Sequence, residues 1–293
     1  MPLPYFVGCP VWTCVGWKGS VYPVGSNKSD YLKHYASKFN TVEGNTTFYG
    51  IPTLDSAKRW ADQVSSEFRF VLKMPGAITH EKQLVNAGPE LSLFFPVLEE
   101  LAKQGCLGPT MIQLGPSFGS NHFSDLVRFL RQLPREFPMA VEVRHKDFFS
   151  EPFESRLNEL LQSSNVNRVL FDSRPLYSLP PADESEKAAQ KRKPKSPFRT
   201  TTTGSFPILR LIGRNDISEV AEGIKNWSGQ IAEWLTQGRT PYAFMHTPDD
   251  TFAVAMAHEF HKKVQEALVA IDPNHRIDAL PDLENPQKQK SLF

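Results

Sequence analysis

The sequence predicts an α/β fold, a (β/α)8 barrel of the TIM type, and two observations carry this prediction. Short apolar or β-branched runs alternate eight times with longer stretches, most of which show helical periodicity. A dozen or more residues separate consecutive runs, which suits parallel strands joined by helices better than hairpins. Eight such units with right-handed crossovers close most naturally into a barrel. The runs occupy residues 5–9, 41–45, 68–73, 110–114, 139–144, 168–172, 208–212 and 242–246.

Helical periodicity fills most of the gaps between the runs. In residues 123–133, for example, Phe123, Leu126 and Leu130 recur at helical spacing, and Pro134 ends the stretch. The predicted helices cover residues 30–39, 54–64, 91–104, 123–133, 153–161, 220–235 and 253–271.

The sixth helix is the exception to this alternation. Residues 175–206 contain several prolines, a basic run at 191–195 and few apolar side chains. Such a composition is typical of mobile segments, so we expect a flexible basic insert in which a long loop replaces or disrupts the sixth helix. The rest of residues 1–280 is expected to form one barrel domain, and residues 281–293 a frayed tail.

Composition indicates a cytoplasmic protein with no membrane partner. The 33 basic and 32 acidic residues give a net charge of +1, so bulk charge does not attract nucleic acid or an anionic membrane. No apolar run approaches the ~18 residues that a membrane span needs. The first residues lack the basic region and apolar core of a secretory signal, and three cysteines do not make a disulfide framework. The composition predicts no oligomeric state.

Polar side chains interrupt the predicted strands near their carboxyl ends, where a strand buried on both faces should be apolar. Glu43 and Asn45 share one strand face, as do Glu142 and Arg144. If helices cover the outer face, these side chains point into the barrel towards the end where active sites of this fold are built. The alternative is that the charges only neutralise one another, as buried charges must. The other strand-end residues are Lys73, Gln113, Asp172, Arg210 and His246.

These residue types favour an enzyme that acts on a small anionic or phosphorylated substrate, with a hydrolase or a lyase as the best hypothesis. Carboxylates near imidazoles form acid–base pairs, so the predicted catalytic residues are Glu43, Glu142, His246 and Asp172. Guanidinium and ammonium groups bind phosphate or carboxylate oxygens. The predicted substrate-binding residues are Asn45, Tyr49, Lys73, His80, Gln113, Arg144, Arg210 and Trp12, the last from a loop after the first strand.

No cofactor and no metal ligand is predicted. A divalent metal held by the four catalytic candidates is the alternative, since carboxylates and imidazole suit such ions, but the neighbouring cations would repel it. A second alternative is a protein that binds nucleic acid or a nucleotide, including a metal-dependent phosphodiesterase or nuclease, with aromatic rings stacking on bases. Nucleic acid is not favoured as a partner, because the net charge is near zero.

Several motifs together resemble the YecE-like family, a domain of unknown function numbered seventy-two. They are GCPVW at 8–12, VEGNTTFY at 42–49, FVLKMP at 70–75, VEVRH at 141–145 and YAFMHTP at 242–248. The resemblance extends from about Val7 to about His261 and implies a barrel fold. It implies no catalytic assignment, because it brings no established reaction, and the basic insert departs from the family pattern.

Overall fold

Eight short strands, all paired in parallel, alternate with helices along residues 1–283, the part of the chain that this computed structural model describes. Each strand overlaps one of the eight predicted runs. The strands are β1 (Phe6–Gly8), β2 (Thr41–Gly44), β3 (Arg69–Leu72), β4 (Thr110–Gln113), β5 (Met139–Glu142), β6 (Asn167–Asp172), β7 (Ile208–Ile212) and β8 (Tyr242–His246).

Six of these strands form one curled parallel sheet, in the order β1-β8-β7-β6-β5-β4, and the remaining two pair as β2-β3. Backbone hydrogen bonds on both sides join the pair to the edges of the larger sheet, and two of them lie near the carboxyl ends of the strands. The Glu43 amide donates to the Cys9 carbonyl at 3.1 Å, and the Met74 amide donates to the Met111 carbonyl at 2.9 Å. The structure is therefore an α/β fold built on a curled parallel sheet, as predicted at this level.

Helices cover the outer face of the strands and bury their apolar stripes against it. In the helix that follows β4, Leu126, Phe129 and Leu130 are buried, and the chain leaves the helix two residues before Pro134. The helices are α1 (Tyr31–Ala36), α2 (Thr46–Tyr49), α3 (Leu54–Ala61), α4 (Gly88–Lys103), α5 (Phe123–Gln132), α6 (Phe153–Ser163), α7 (Glu184–Arg192), α8 (Ala221–Thr236) and α9 (Ala253–Ile271).

The inner face of the strands carries a small apolar cluster of its own, separate from the core under the helices. Its members alternate with outward-facing residues, as side chains do along any strand. Stepping two residues towards the carboxyl end of each strand therefore reaches the next inward-facing side chain. The cluster contains Val71, Met111, Ala140, Val169, Ile208, Tyr242 and Phe244.

The prediction of a loop in place of the sixth helix is wrong for residues 184–192, which form α7. Asp183 caps this helix by accepting a hydrogen bond from the Glu186 amide at 2.9 Å. The Glu186 carboxylate is buried and accepts from Arg214 at 2.6 Å and from the Asn215 amide at 3.0 Å. A buried ion pair therefore holds this segment in place although it has few apolar residues. Composition alone does not reveal such a pair, and for this reason the prediction was wrong.

The predicted frayed tail falls mostly on residues 284–293, which lie outside the described residues. In its first three residues the Lys38 ammonium donates to the Asp282 carbonyl at 2.6 Å, and Leu283 packs against the core. These contacts join Asp282 and Leu283 to the rest of the fold.

Candidate functional site

The inner apolar cluster is followed, two residues further along the strands, by a layer of polar side chains. Val71 is followed by Lys73, and Ala140 is followed by Glu142. Because the carboxyl ends of parallel strands lie at the same edge of the sheet, these inward-facing side chains lie close together. The layer consists of Lys73, Gln113, Glu142, Phe171, Arg210 and His246, and Glu43 of β2 joins it.

Arg210 lies at the centre of this layer and joins its two carboxylates. Its Nε and Nη2 donate to the two oxygens of Glu43, each at 2.8 Å, and its Nη1 donates to Glu142. The guanidinium carbon lies 5.4 Å from the centre of the Phe171 ring. All three charged side chains are at most 3% exposed, so the network is shielded from water and its attractions are strong.

Glu142 accepts hydrogen bonds from three side chains, on β4, on β7 and in the loop after β5. Besides Arg210, it accepts a hydrogen bond from Gln113 at 2.8 Å and one from the Arg144 Nε at 2.9 Å. Burial raises the pKa of Glu142, but Arg210, Arg144 and Lys73 together lower it to about 2. The carboxylate is therefore ionised at all ordinary pH values and is a weak base.

Glu43 has three partners as well. Asn45 donates to it at 2.8 Å, and its Oε2 lies 3.0 Å from the Nε2 of His246. Although burial raises the pKa of Glu43, Arg210 and His246 hold it well below the usual range. Burial lowers the pKa of His246 to about 4 against the attraction of Glu43, so this imidazole is neutral and donates its Nε2 proton to the carboxylate.

Lys73 differs from Arg210 because it belongs to no ion pair within residues 1–283. Its side chain is 8% exposed, and its ammonium lies 4.3 Å from the centre of the Phe48 ring. Burial and the nearby charge of Arg210 lower the pKa of Lys73 to about 7. This lysine therefore exchanges its proton near neutral pH, unlike an exposed lysine.

His80 lies on the other side of the same ring. Its imidazole meets Phe48 edge-to-face, with ring centres 4.9 Å apart, and its Nδ1 lies 2.9 Å from the Thr79 hydroxyl. Burial and the charge of Lys73 lower the pKa of His80. His80 is thus a half-buried polar group at the rim of the network, next to the buried Lys73.

A second lysine reaches the site from the basic insert. Lys193 directly follows α7, and the charges of Arg210, Glu43 and Arg144 all act on its ammonium. Burial and Arg210 lower the pKa of Lys193 to about 8. Sequence reasoning assigned residues 191–195 to a solvated loop and so missed this residue.

Asp250 is another site residue that was not predicted, because an aspartate pair before a helix indicates only helix caps. Asp249 does cap the following turn, accepting from the Thr251 amide at 2.9 Å. Burial instead raises the pKa of the Asp250 carboxyl, against the attraction of Lys193. Asp250 is therefore an additional titratable group beside Lys193.

Three predicted site residues lie apart from the network. Asp172 points to the outer face of β6, where it accepts from Trp227 at 2.8 Å and from Arg174 at 2.7 Å. Tyr49 is 86% exposed and packs edge-to-face on Phe48. Trp12 packs against the Trp60 ring and borders a cavity of about 30 Å³ that also touches Glu43 and Asn45.

The four residues considered as metal ligands do not fit a metal. Asp172 faces away from the other three, and Arg210 occupies the space between Glu43 and Glu142 that an ion would need. Within residues 1–283, no group of three or more histidine, cysteine, aspartate or glutamate side chains is arranged to hold a metal ion.

The fold is that of an α/β protein family whose function is unknown. Residues 6–279 match the family described as "Protein of unknown function DUF72", and the chain belongs to that family. It is 35% identical to the UPF0759 protein YecE of Escherichia coli K12, over 98% of this chain and 99% of that protein. The UPF0759 protein YunF of Bacillus subtilis 168 is 25% identical over 50% of this chain and 53% of its own length.

Two solved structures share the fold. A DUF72 family protein from Enterococcus faecalis V583 superposes with a TM-score of 0.69 at 17% identity, covering 96% of this chain and 98% of that chain. A DUF72 family protein from Thermotoga maritima MSB8 gives a TM-score of 0.66 at 24% identity, covering 88% of this chain and 98% of that chain. Among residues 1–283, no helix combines the length and apolar character needed to cross a membrane.

Proposed function

We propose that this protein is an enzyme that binds a small anionic substrate, bearing a phosphate or carboxylate group, at the carboxyl ends of its strands. The observation that carries the proposal is the excess of positive charge there. Glu43 and Glu142 face three cations, and Lys73 adds a fourth when it is protonated. Asp250 is a third carboxyl group, beside Lys193, but burial raises its pKa and so favours its neutral form. The cations are Arg144, Lys193, Arg210 and Lys73.

The excess positive charge is available to a ligand because the carboxylates of Glu43 and Glu142 already have hydrogen-bond partners. Both accept hydrogen bonds from the deeply buried Arg210. Arg144 contacts Glu142 only through Nε, and its side chain is 20% exposed, which leaves guanidinium N–H groups available. An anion between Arg144 and Lys193 would offset the surplus charge in a partly desolvated place, where such attraction is strong.

The proton-transfer groups of this proposed enzyme lie at the rim rather than in the buried network. A general base works best with a pKa near the working pH. The pKa values of Glu43 and Glu142 are too low for that task, and so is that of His246, which is about 4 and leaves the imidazole neutral. The pKa of Lys73 is about 7, and the half-buried His80 imidazole lies against the same Phe48 ring, so we assign these two groups the proton transfers of a hydrolase or lyase.

The proposal includes full closure of the eight strands into a (β/α)8 barrel. The backbone hydrogen bonds between the β2-β3 pair and the edges of the six-stranded sheet support it. A closed barrel places the Glu43 and Glu142 carboxylates on opposite sides of one mouth, which suits their joint hold on Arg210.

The test is an activity screen with matched variants. Wild type, Arg144→Gln and the control Arg135→Gln are assayed with panels of phosphate monoesters, sugar phosphates, hydroxy and oxo acids, and a single-stranded oligonucleotide. Arg135 is exposed and lies just before β5, at the opposite end of the sheet. We expect turnover of a small anion that Arg144→Gln lowers at least tenfold and the control leaves unchanged. Turnover or binding of the oligonucleotide alone would overturn the proposal.

A further inference from the structure

Among residues 1–283, Lys73 is a buried cation that forms no ion pair, in contrast to the three buried arginines. Arg168, Arg210 and Arg214 are each at most 3% exposed, and each forms an ion pair with a glutamate. Lys73 forms none within residues 1–283. Because a buried charge is costly unless it is paired, this arrangement favours a neutral amine.

Hydrogen bonds fix the Lys73 backbone just after β3, from where its side chain enters the strand-end layer. The Thr47 hydroxyl donates to the Lys73 carbonyl at 2.5 Å, and the Lys73 amide donates to the Gly44 carbonyl at 3.2 Å. The Phe48 ring covers one side of Nζ. The charged or titratable groups that act on or face it are Arg210, Glu142, Glu43, Arg144 and His80.

From this geometry we infer that Lys73 is a nucleophile that forms an imine with a carbonyl group of the small anionic substrate. The substrate class is thereby narrowed to anionic aldehydes and ketones, and the inference rests on the proposed function. An unprotonated amine held beside cations and an apolar ring is the known requirement for a lysine of this kind.

The step balances without a further reactant. The Lys73 ammonium and the carbonyl compound give a protonated imine and one water. The nitrogen loses two protons, and the two electron pairs that bound them form the two carbon–nitrogen bonds. Both carbon–oxygen bonds break, and the oxygen leaves with the two protons as water. No atom is oxidised or reduced, and the positive charge is conserved. His80, against the same Phe48 ring, is placed to relay one of these protons.

The pKa of about 7 supports the same assignment. At pH 7 about half of the Lys73 side chains would be unprotonated, compared with well under one per cent of exposed lysines with a pKa near 10.4. Arg144 and Lys193 would hold the anionic group of the substrate, which places its carbonyl group near Lys73.

The test traps the imine with sodium borohydride on the full-length protein, using glyoxylate and glycolaldehyde phosphate as probes. Mass spectrometry of the digested protein then compares labelling of Lys73 with that of the exposed lysines Lys58 and Lys187. We expect Lys73 to be labelled roughly tenfold or more faster at pH 7. We also expect excess inorganic phosphate to slow labelling of Lys73 but not of the two exposed lysines.

The same experiment separates failure of the inference from failure of the proposed function. Protection of thermal stability by inorganic phosphate is measured in parallel on wild type and Lys73→Met. Phosphate protection with Lys73 labelled no faster than the exposed lysines overturns the imine and leaves the anion site. Absence of both phosphate protection and Lys73 labelling overturns the imine and the anionic-substrate enzyme together.

Discussion

Arg210 and Glu43 form a two-pronged ion pair in which Nε and Nη2 each donate to a different carboxylate oxygen at 2.8 Å. The same guanidinium also donates to Glu142, so one cation from β7 holds carboxylates from β2 and β5. The buried pair of Arg210 and Glu43 supports the neighbouring cations Lys73, Arg144 and Lys193, which are more exposed than the pair itself.

Removing this cation is expected to destabilise the fold strongly. Arg210→Met leaves two buried carboxylates without their main counter-charge, and we expect a loss of about 3–5 kcal/mol in the free energy of unfolding. Urea denaturation measures it. The control is Arg128→Met, which breaks a pair whose arginine is 65% exposed and should cost less than about 1 kcal/mol. Equal losses in the two variants would contradict the role given to Arg210.

Glu142 should make stability depend on pH in a defined window. Its pKa is about 2 in the folded protein, below the value of about 4.3 expected in the unfolded chain. Because the folded pKa is depressed, its stabilising contribution is complete above pH 4.3 and is lost as the pH falls towards 2. We therefore expect wild type to be more stable than Glu142→Gln at pH 6, by an amount that shrinks between pH 4.5 and pH 3. Urea titrations at each pH test this, and a constant difference would contradict it.

Helix α7 contains one buried glutamate, Glu186, which pairs with Arg214, and one exposed glutamate, Glu184, with which its contribution to stability can be compared. Glu186→Gln weakens a buried pair with Arg214 and is expected to cost about 3 kcal/mol. Glu184→Gln, at an exposed position of the same helix, should change stability by less than about 0.5 kcal/mol. Thermal unfolding of both variants decides whether α7 is fastened to the fold. If both are neutral, the insert is not held by Glu186.

The labelling rate of Lys73 should rise with pH around its pKa. Imine formation needs the unprotonated amine, so the rate increases as pH passes about 7 and then levels off. Exposed lysines, in contrast, should continue to gain reactivity well above pH 9. Borohydride trapping between pH 5.5 and 9 gives both curves. A Lys73 curve that follows the exposed lysines would place its pKa near the ordinary value and remove the reason to call it activated.

The alternation of strand residues made most of the site predictable from the sequence. Glu43, Glu142, Arg210 and His246 lie at the carboxyl ends of apolar runs, and all four contact one another through Arg210 and Glu43 as the period of two requires. The same rule explains the error at Asp172. Since Phe171 pairs in register with Arg210 and shares its inner face, the next residue must point outwards.

Loops and the insert were less predictable, because no periodicity governs where their side chains point. Tyr49 belongs to a motif that resembles the family signature, yet its ring is exposed. Lys193 lies in a segment whose composition is typical of disorder, and tertiary contacts, among them the pair between Glu186 and Arg214, fix the helix that precedes it. Such a pair, 28 residues apart, leaves no local signal in the sequence.

Calorimetric titration of inorganic phosphate into the protein tests the anion site most directly. Wild type, Arg144→Gln and Arg135→Gln are compared at low ionic strength. We expect wild type and Arg135→Gln to bind one phosphate per chain with equal affinity, and Arg144→Gln to bind roughly ten- to a hundredfold more weakly, the loss expected for one charge-assisted contact. No saturable binding to wild type, or equal binding by all three proteins, would contradict an anion-binding active site at the strand ends.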